Sequence, residues 1–122
     1  MPTDARAMDS LSGDAQETEW SSVVKLIALY RKPADPDAFM AHYREVHIPL
    51  VRKIPGLTGM ELKRVTANPF GGDPAYFLVA EMTWPDQASF KAAMKSPENA
   101  AAGKDLMGFA KGLVDMLVAE VE

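Results

Sequence analysis

The sequence predicts an α+β domain: a four-stranded antiparallel sheet with helices on one face. Three observations lead there. Four apolar or β-rich runs, at residues 23–30, 57–67, 76–84 and 113–121, have strand length. Two helix-start signals, at Asp35-Pro36-Asp37 and Pro85-Asp86, fall between the first and second runs and between the third and fourth. The second and third runs are joined by Asn68-Pro-Phe-Gly-Gly-Asp-Pro-Ala75, which is turn chemistry throughout and suits an antiparallel hairpin with a long tip. The order is β-α-β-β-α-β, the split βαβ or ferredoxin-like arrangement.

Taken in order, residues 1–22 show no hydrophobic periodicity and read as a disordered acidic tail, leaving residues 23–122 as the domain. Residues 23–30 (VVKLIALY) are apolar at nearly every position, as a central strand covered on both faces should be. Asp35 can cap the first helix, Pro36 fits its first position and Asp37 complements its dipole. Phe39, Tyr43, Val46 and Leu50 recur at helical spacing and form the expected inner stripe, with His47 at its shoulder. Pro49 lacks an N–H, its ring meets the carbonyl of Glu45, and it pushes Ile48 away from helical geometry, so a kink or stop is expected at His47. Gly59, Glu61, Lys63 and Arg64 place the second strand at a sheet edge. Asp86 begins the second helix, with Phe90, Ala93 and Met94 inward, and Ser96-Pro97-Glu98 caps a short extra helical segment before the last strand.

Composition limits the possible functions. The net charge of −4 lies wholly in the tail, where five acids face one base; the remaining residues hold twelve charges of each sign. A neutral body without a basic patch argues against nucleic-acid binding. There is no cysteine, and the two histidines stand five apart, which on a regular helix separates them by well over 100°. No metal site is therefore expected. No apolar run reaches 18 residues, so neither a membrane span nor a membrane partner is expected, and the protein reads as cytoplasmic. The first and third strands are apolar at both parities: Val24, Leu26 and Ala28 against Ile27 and Leu29, and Leu78, Ala80 and Met82 against Phe77 and Val79. Helices cover one face only, so a second copy is expected on the other, giving a homodimer.

Two residues stand out chemically. His47 can exchange a proton near neutral pH, although a core-edge histidine bonded to a carbonyl is the plainer alternative. Glu81 interrupts an apolar strand, either as a partner for His47 or in an ion pair with Lys25. Tyr43, Tyr30, Tyr76, Trp84 and Phe109 could line an apolar pocket or simply build the core. Lys104-Asp105 reads as solvated surface.

Several of these residues carry a resemblance to the EthD-type domain. They are Val24-Lys25-Leu26-Ile27, then Phe39 with Tyr43-Arg44-Glu45-Val46-His47-Ile48-Pro49-Leu50-Val51, then Ile54-Pro55-Gly56-Leu57, Ala80-Glu81-Met82, Phe90 and Met94-Lys95-Ser96-Pro97-Glu98. The resemblance covers about residues 23–121 and implies a dimeric α+β barrel. It also implies a cofactor-free pocket between sheet and helices, with His47 as its recurrent polar residue and Glu81 at a commonly acidic position. Met60 stands where relatives often carry an aromatic, and Met82 where isomerase-like relatives can carry a cysteine. The family's name comes from ethyl tert-butyl ether degradation. The expectation is a small catabolic or accessory protein acting by acid/base chemistry on a small hydrophobic oxygenated compound: a lactone, an aromatic ketone or an ether-degradation intermediate. His47 would be the base, Glu81 its orienting partner and Tyr43 or Tyr76 a donor to the developing oxyanion; Met60 and Met82 join the pocket. The alternatives are a non-catalytic dimeric binding module for a hydrophobic metabolite, or haem binding through a histidine.

Overall fold

The computed structural model describes residues 22–122; the acidic tail expected at residues 1–22 lies, apart from Ser22, outside them. Four strands, β1 (Val24–Tyr30), β2 (Gly59–Arg64), β3 (Leu78–Trp84) and β4 (Val114–Glu120), form one antiparallel sheet of order β2-β3-β1-β4. The apolar runs β1 and β3 are central, and the charged β2 is an edge, as its sequence requires. Helices α1 (Pro36–His42), α2 (Ile48–Arg52), α3 (Gln87–Met94) and α4 (Pro97–Phe109) accompany it.

The helix starts follow the capping residues. Asp35, Asp86 and Ser96 each accept a hydrogen bond from the backbone N–H three residues on, satisfying donors that the first turn leaves unpaired. The segment after Ser96 is not a short extra turn. At 13 residues α4 is the longest helix among the described residues. Its alanines and its cap favour helix without an apolar stripe strong enough to announce it.

The region around Pro49 differs from expectation. The chain neither stops nor leaves helical geometry, and Ile48 keeps φ −57° and ψ −46°. Residues Tyr43–His47 instead widen into a π-helical turn, in which the Ile48 N–H reaches back to the Tyr43 carbonyl. A wider turn accommodates one extra residue. Pro49 falls in the first turn of α2, where no N–H is required of it. The insertion also moves the buried stripe. Phe39, Tyr43, His47 and Val51, four apart throughout, are buried, whereas Val46 is 41% exposed. His47 therefore lies within the stripe rather than on its shoulder.

The strand register divides the sheet into two faces. Val24, Leu26, Ala28 and Tyr30 of β1 oppose Trp84, Met82, Ala80 and Leu78 of β3 and face the helices. Trp84 is fully buried and donates Nε1–H to the Pro55 carbonyl at 3.0 Å. Gly56 has φ +78°, and a Cβ there would lie 3.3 Å from the Trp84 ring, so glycine serves both the turn and the close approach. The other face shows Ile27, Leu29, Val79 and Leu117 around Glu81, the last bridged to Lys25 and Lys63 at 3.2 and 3.3 Å.

Candidate functional site

A cavity of about 220 Å³ lies between the helix face of the sheet and the layer formed by α2 and α4. Its walls are almost wholly apolar: Leu26, Ala28 and Met82 below, Val51, Ile54, Ala102 and Leu106 above. The polar groups on its lining are Tyr30, His47 and Asn99. His47 is the single ionisable imidazole there, and its side chain is 6% exposed.

The His47 ring is held from behind. Nδ1 lies 3.0 Å from Oδ2 of Asp105 on α4. The other carboxylate oxygen, Oδ1, lies 2.8 Å from Nε2 of His42. A carboxylate can only accept, so His47 donates through Nδ1–H and His42 through Nε2–H. That fixes the His47 tautomer. Nε2, which has no hydrogen-bond partner among the described residues, is left with its lone pair free. The π turn makes the double contact possible, because residues five apart come to nearly the same side of a widened helix. The separation expected between the two histidines thus does not hold. Asp105, which read as solvated surface, is buried to 16% exposure between two imidazoles. Among the described residues no group of three metal-ligating side chains is arranged to hold an ion.

Burial holds the His47 pKa below the usual 6.5, only partly offset by the hydrogen bond and charge of Asp105. The ring is accordingly neutral at pH 7, in the state that accepts a proton. Tyr43 packs beside it at 5.2 Å between ring centroids, and Tyr30 meets Tyr43 edge-on at 5.5 Å. Burial pushes the Tyr43 hydroxyl up to about 12 and the Tyr30 hydroxyl further, so both remain protonated.

The remaining sequence candidates distribute as follows. Tyr30 and Met82 line the cavity with His47. Tyr43 and Phe109 touch the His47 ring, the latter at 5.1 Å, and Phe109 forms part of an outer groove with His42 and Asp105. Met60 and Trp84 belong to the core beside the cavity. Tyr76 is remote from it, donating its hydroxyl to Asp115 at 2.9 Å. Glu81 points from the opposite face of the sheet, and Lys25 and Lys63 hold its pKa down. It does not meet His47 within this chain, because neighbouring residues on a strand alternate faces and Glu81 has the parity of Val79. Asp105 takes the place expected of it. The sequence signal for Asp105 was faint: an acid on a helix with no apolar partner to betray its burial.

The fold and site define a class: a ferredoxin-like α+β protein with a largely apolar, histidine-bearing cavity between sheet and helices. The model of the EthD domain matches residues 31–112, and the chain belongs to that family. It is 34% identical over 102 residues to an 11.0 kDa protein of Rhodococcus erythropolis encoded in the thcB–thcC intergenic region, covering 80% of this chain and 94% of that one. It is similar in structure to an EthD family protein from Bacillus halodurans, with TM-score 0.78 and 43% identity, covering 82% and 99% of the two chains. A hydroxynitrile lyase from Passiflora edulis shares the fold at TM-score 0.63 and 15% identity, over 84% and 95%.

Proposed function

We propose that this protein moves a proton on a small hydrophobic oxygenated compound bound in the cavity, with His47 Nε2 as the base. One observation carries the reading: a neutral imidazole lines a largely apolar cavity while a carboxylate fixes its opposite nitrogen. The Asp105 hydrogen bond sets the tautomer and stabilises the imidazolium once the proton arrives. The cavity's size and lining suit an aromatic ketone, a lactone or an ether-degradation intermediate. Tyr30 and Asn99 are the other polar residues of the lining, and this reading gives them the contact with its oxygen, although one Asn99 N–H already donates to the Met94 carbonyl at 3.3 Å. Orientation by Asp105 replaces the role expected of Glu81. The same fold carries a hydroxynitrile lyase, an analogy of architecture alone.

A homodimer through the open sheet face forms part of the same reading. Ile27, Leu29, Val79 and Leu117 make an apolar surface that helices do not cover. Haem enclosed beside His47 is disfavoured, because the cavity there measures about 220 Å³. The non-catalytic binding reading keeps the cavity and drops the base.

The test uses 5-nitrobenzisoxazole, a small aromatic probe whose ring opening is limited by proton abstraction. Wild-type protein should accelerate it above buffer with a pH dependence set by His47. His47→Gln should remove roughly 10²-fold or more of that rate at unchanged folding. No acceleration by the wild type, with undiminished binding of acetophenone by His47→Gln, would favour the binding module.

A further inference from the structure

We propose that the cavity's ligand is elongated: an oxygen-bearing head beside His47 and an unbranched apolar chain that leaves through an opening between Gly103 of α4 and Met116 of β4. Gly103 is then the residue that sets which chain lengths are accepted. This deepens the reading of the cavity as the ligand site and rests on it, but its test needs no turnover.

The opening follows from the topology. The segment carrying His47 joins β1 to β2 and so crosses β3, which lies between them; α3 and α4 join β3 to β4 and cross β1. Among the described residues no helix is left to cover β4. Exposure follows suit. Met116 and Val118 oppose Ala28 and Leu26 in the register and share their helix-side face, yet they are 42% and 57% exposed, whereas Ala28 is buried. Met82, Leu26, Ala28 and Met116 all line the cavity, so it runs from β3 across β1 to β4. Two strand spacings make that span roughly 10 Å. The β3 end is closed, because Val51 and Ile54 pack there with Met82 and Trp84, all buried. At the β4 end Met116 is both lining and surface.

Gly103 sets the width of this opening. It lies in the interior of α4, lines the cavity and is exposed. Its backbone is not left-handed, and a Cβ added there would meet no atom within 4 Å. Neither a turn nor close packing therefore requires glycine, which is a poor helix former. The missing side chain does leave space at the mouth. The rim is apolar, with Met116, Val118 on the same strand face, and half-buried Met94. A compact ligand would leave this rim in water. A chain lying along it removes both apolar surfaces from water at once.

The experiment measures the binding of acetophenone, 4-propylacetophenone and 4-butylacetophenone to the full chain by isothermal titration calorimetry. It compares wild type with Gly103→Leu and with Gly108→Leu, the same change in the same helix but on the outer groove. Wild type should bind the butyl compound roughly 10-fold or more tighter than acetophenone, since each methylene taken from water contributes up to about fourfold. Gly103→Leu should lose that gain and keep its affinity for acetophenone, while Gly108→Leu should keep both. The proposal is overturned by a wild-type affinity that does not rise with chain length, by a rise that survives Gly103→Leu, or by one that Gly108→Leu abolishes equally. Should Gly103→Leu not fold, Met116→Glu places a charge on the exposed strand side of the same opening. It should remove the chain-length gain, and an unaltered gain again overturns the proposal. Failure of the base reading is separate: the benzisoxazole would go unaccelerated while the chain-length gain persists.

Discussion

His47 makes the fold sensitive to acid. Its pKa in the folded chain lies below its value in the unfolded chain, because burial disfavours the imidazolium. Below about pH 6.5 the unfolded chain therefore binds more protons, and stability falls with falling pH until the folded pKa is passed. Urea unfolding followed from pH 7.5 to 5 should show this decline, and His47→Gln should flatten it. The carboxylates held low by partners, Glu81 with Lys25 and Lys63, and Asp115 with Tyr76 and Arg31, act in a separate window below about pH 4.5. An unchanged slope in His47→Gln would place the acid sensitivity elsewhere.

The helical segment from Pro36 to Arg52 is where local and tertiary preferences meet. Pro49 makes a regular helix costly at Glu45, and the π turn relieves it. Packing also demands the turn. Closing it to a regular helix would rotate α2 by about 100° relative to α1 and expose Val51, which is buried. Burial of a valine contributes about 1.5 kcal/mol or more, against about 1 kcal/mol for one regained backbone hydrogen bond. Pro49→Ala should accordingly retain the π turn, with a stability change below about 1 kcal/mol in urea unfolding. Both histidine rings should still show NMR signals of bonds to Asp105. If the His42 bond is lost while His47 stays buried, proline rather than packing maintains the turn.

The molecule as a whole leaves one sheet face without helices. Ile27, Leu29 and Val79 are half-buried there, and Leu117 is 50% exposed. The Glu81–Lys25–Lys63 group sits among them as a compensated charge. A second copy placed sheet against sheet would remove this surface from water. Analytical ultracentrifugation should find a dimer at micromolar concentration. Leu29→Glu should yield a folded monomer with unchanged far-ultraviolet circular dichroism. A wild type that sediments as a monomer would remove the dimer from the account.

The sequence by itself determined the order of elements, the antiparallel hairpin, the edge position of β2 and the helix starts. Each depends on local chemistry: alternation, capping carboxylates and turn residues lying within a few positions of one another. It also singled out His47, because a histidine beside a proline is visible in one dimension. The tertiary structure decided the partner of that histidine. Asp105 lies 58 residues away, and nothing about an acid on an alanine-rich helix reveals which imidazole it will meet. Glu81 looked the better partner because an acid in an apolar strand is conspicuous, yet strand alternation sends it to the far side of the sheet. The union of His42 with His47 likewise had to await the π turn, since one inserted residue decides whether positions five apart diverge or converge on a single carboxylate.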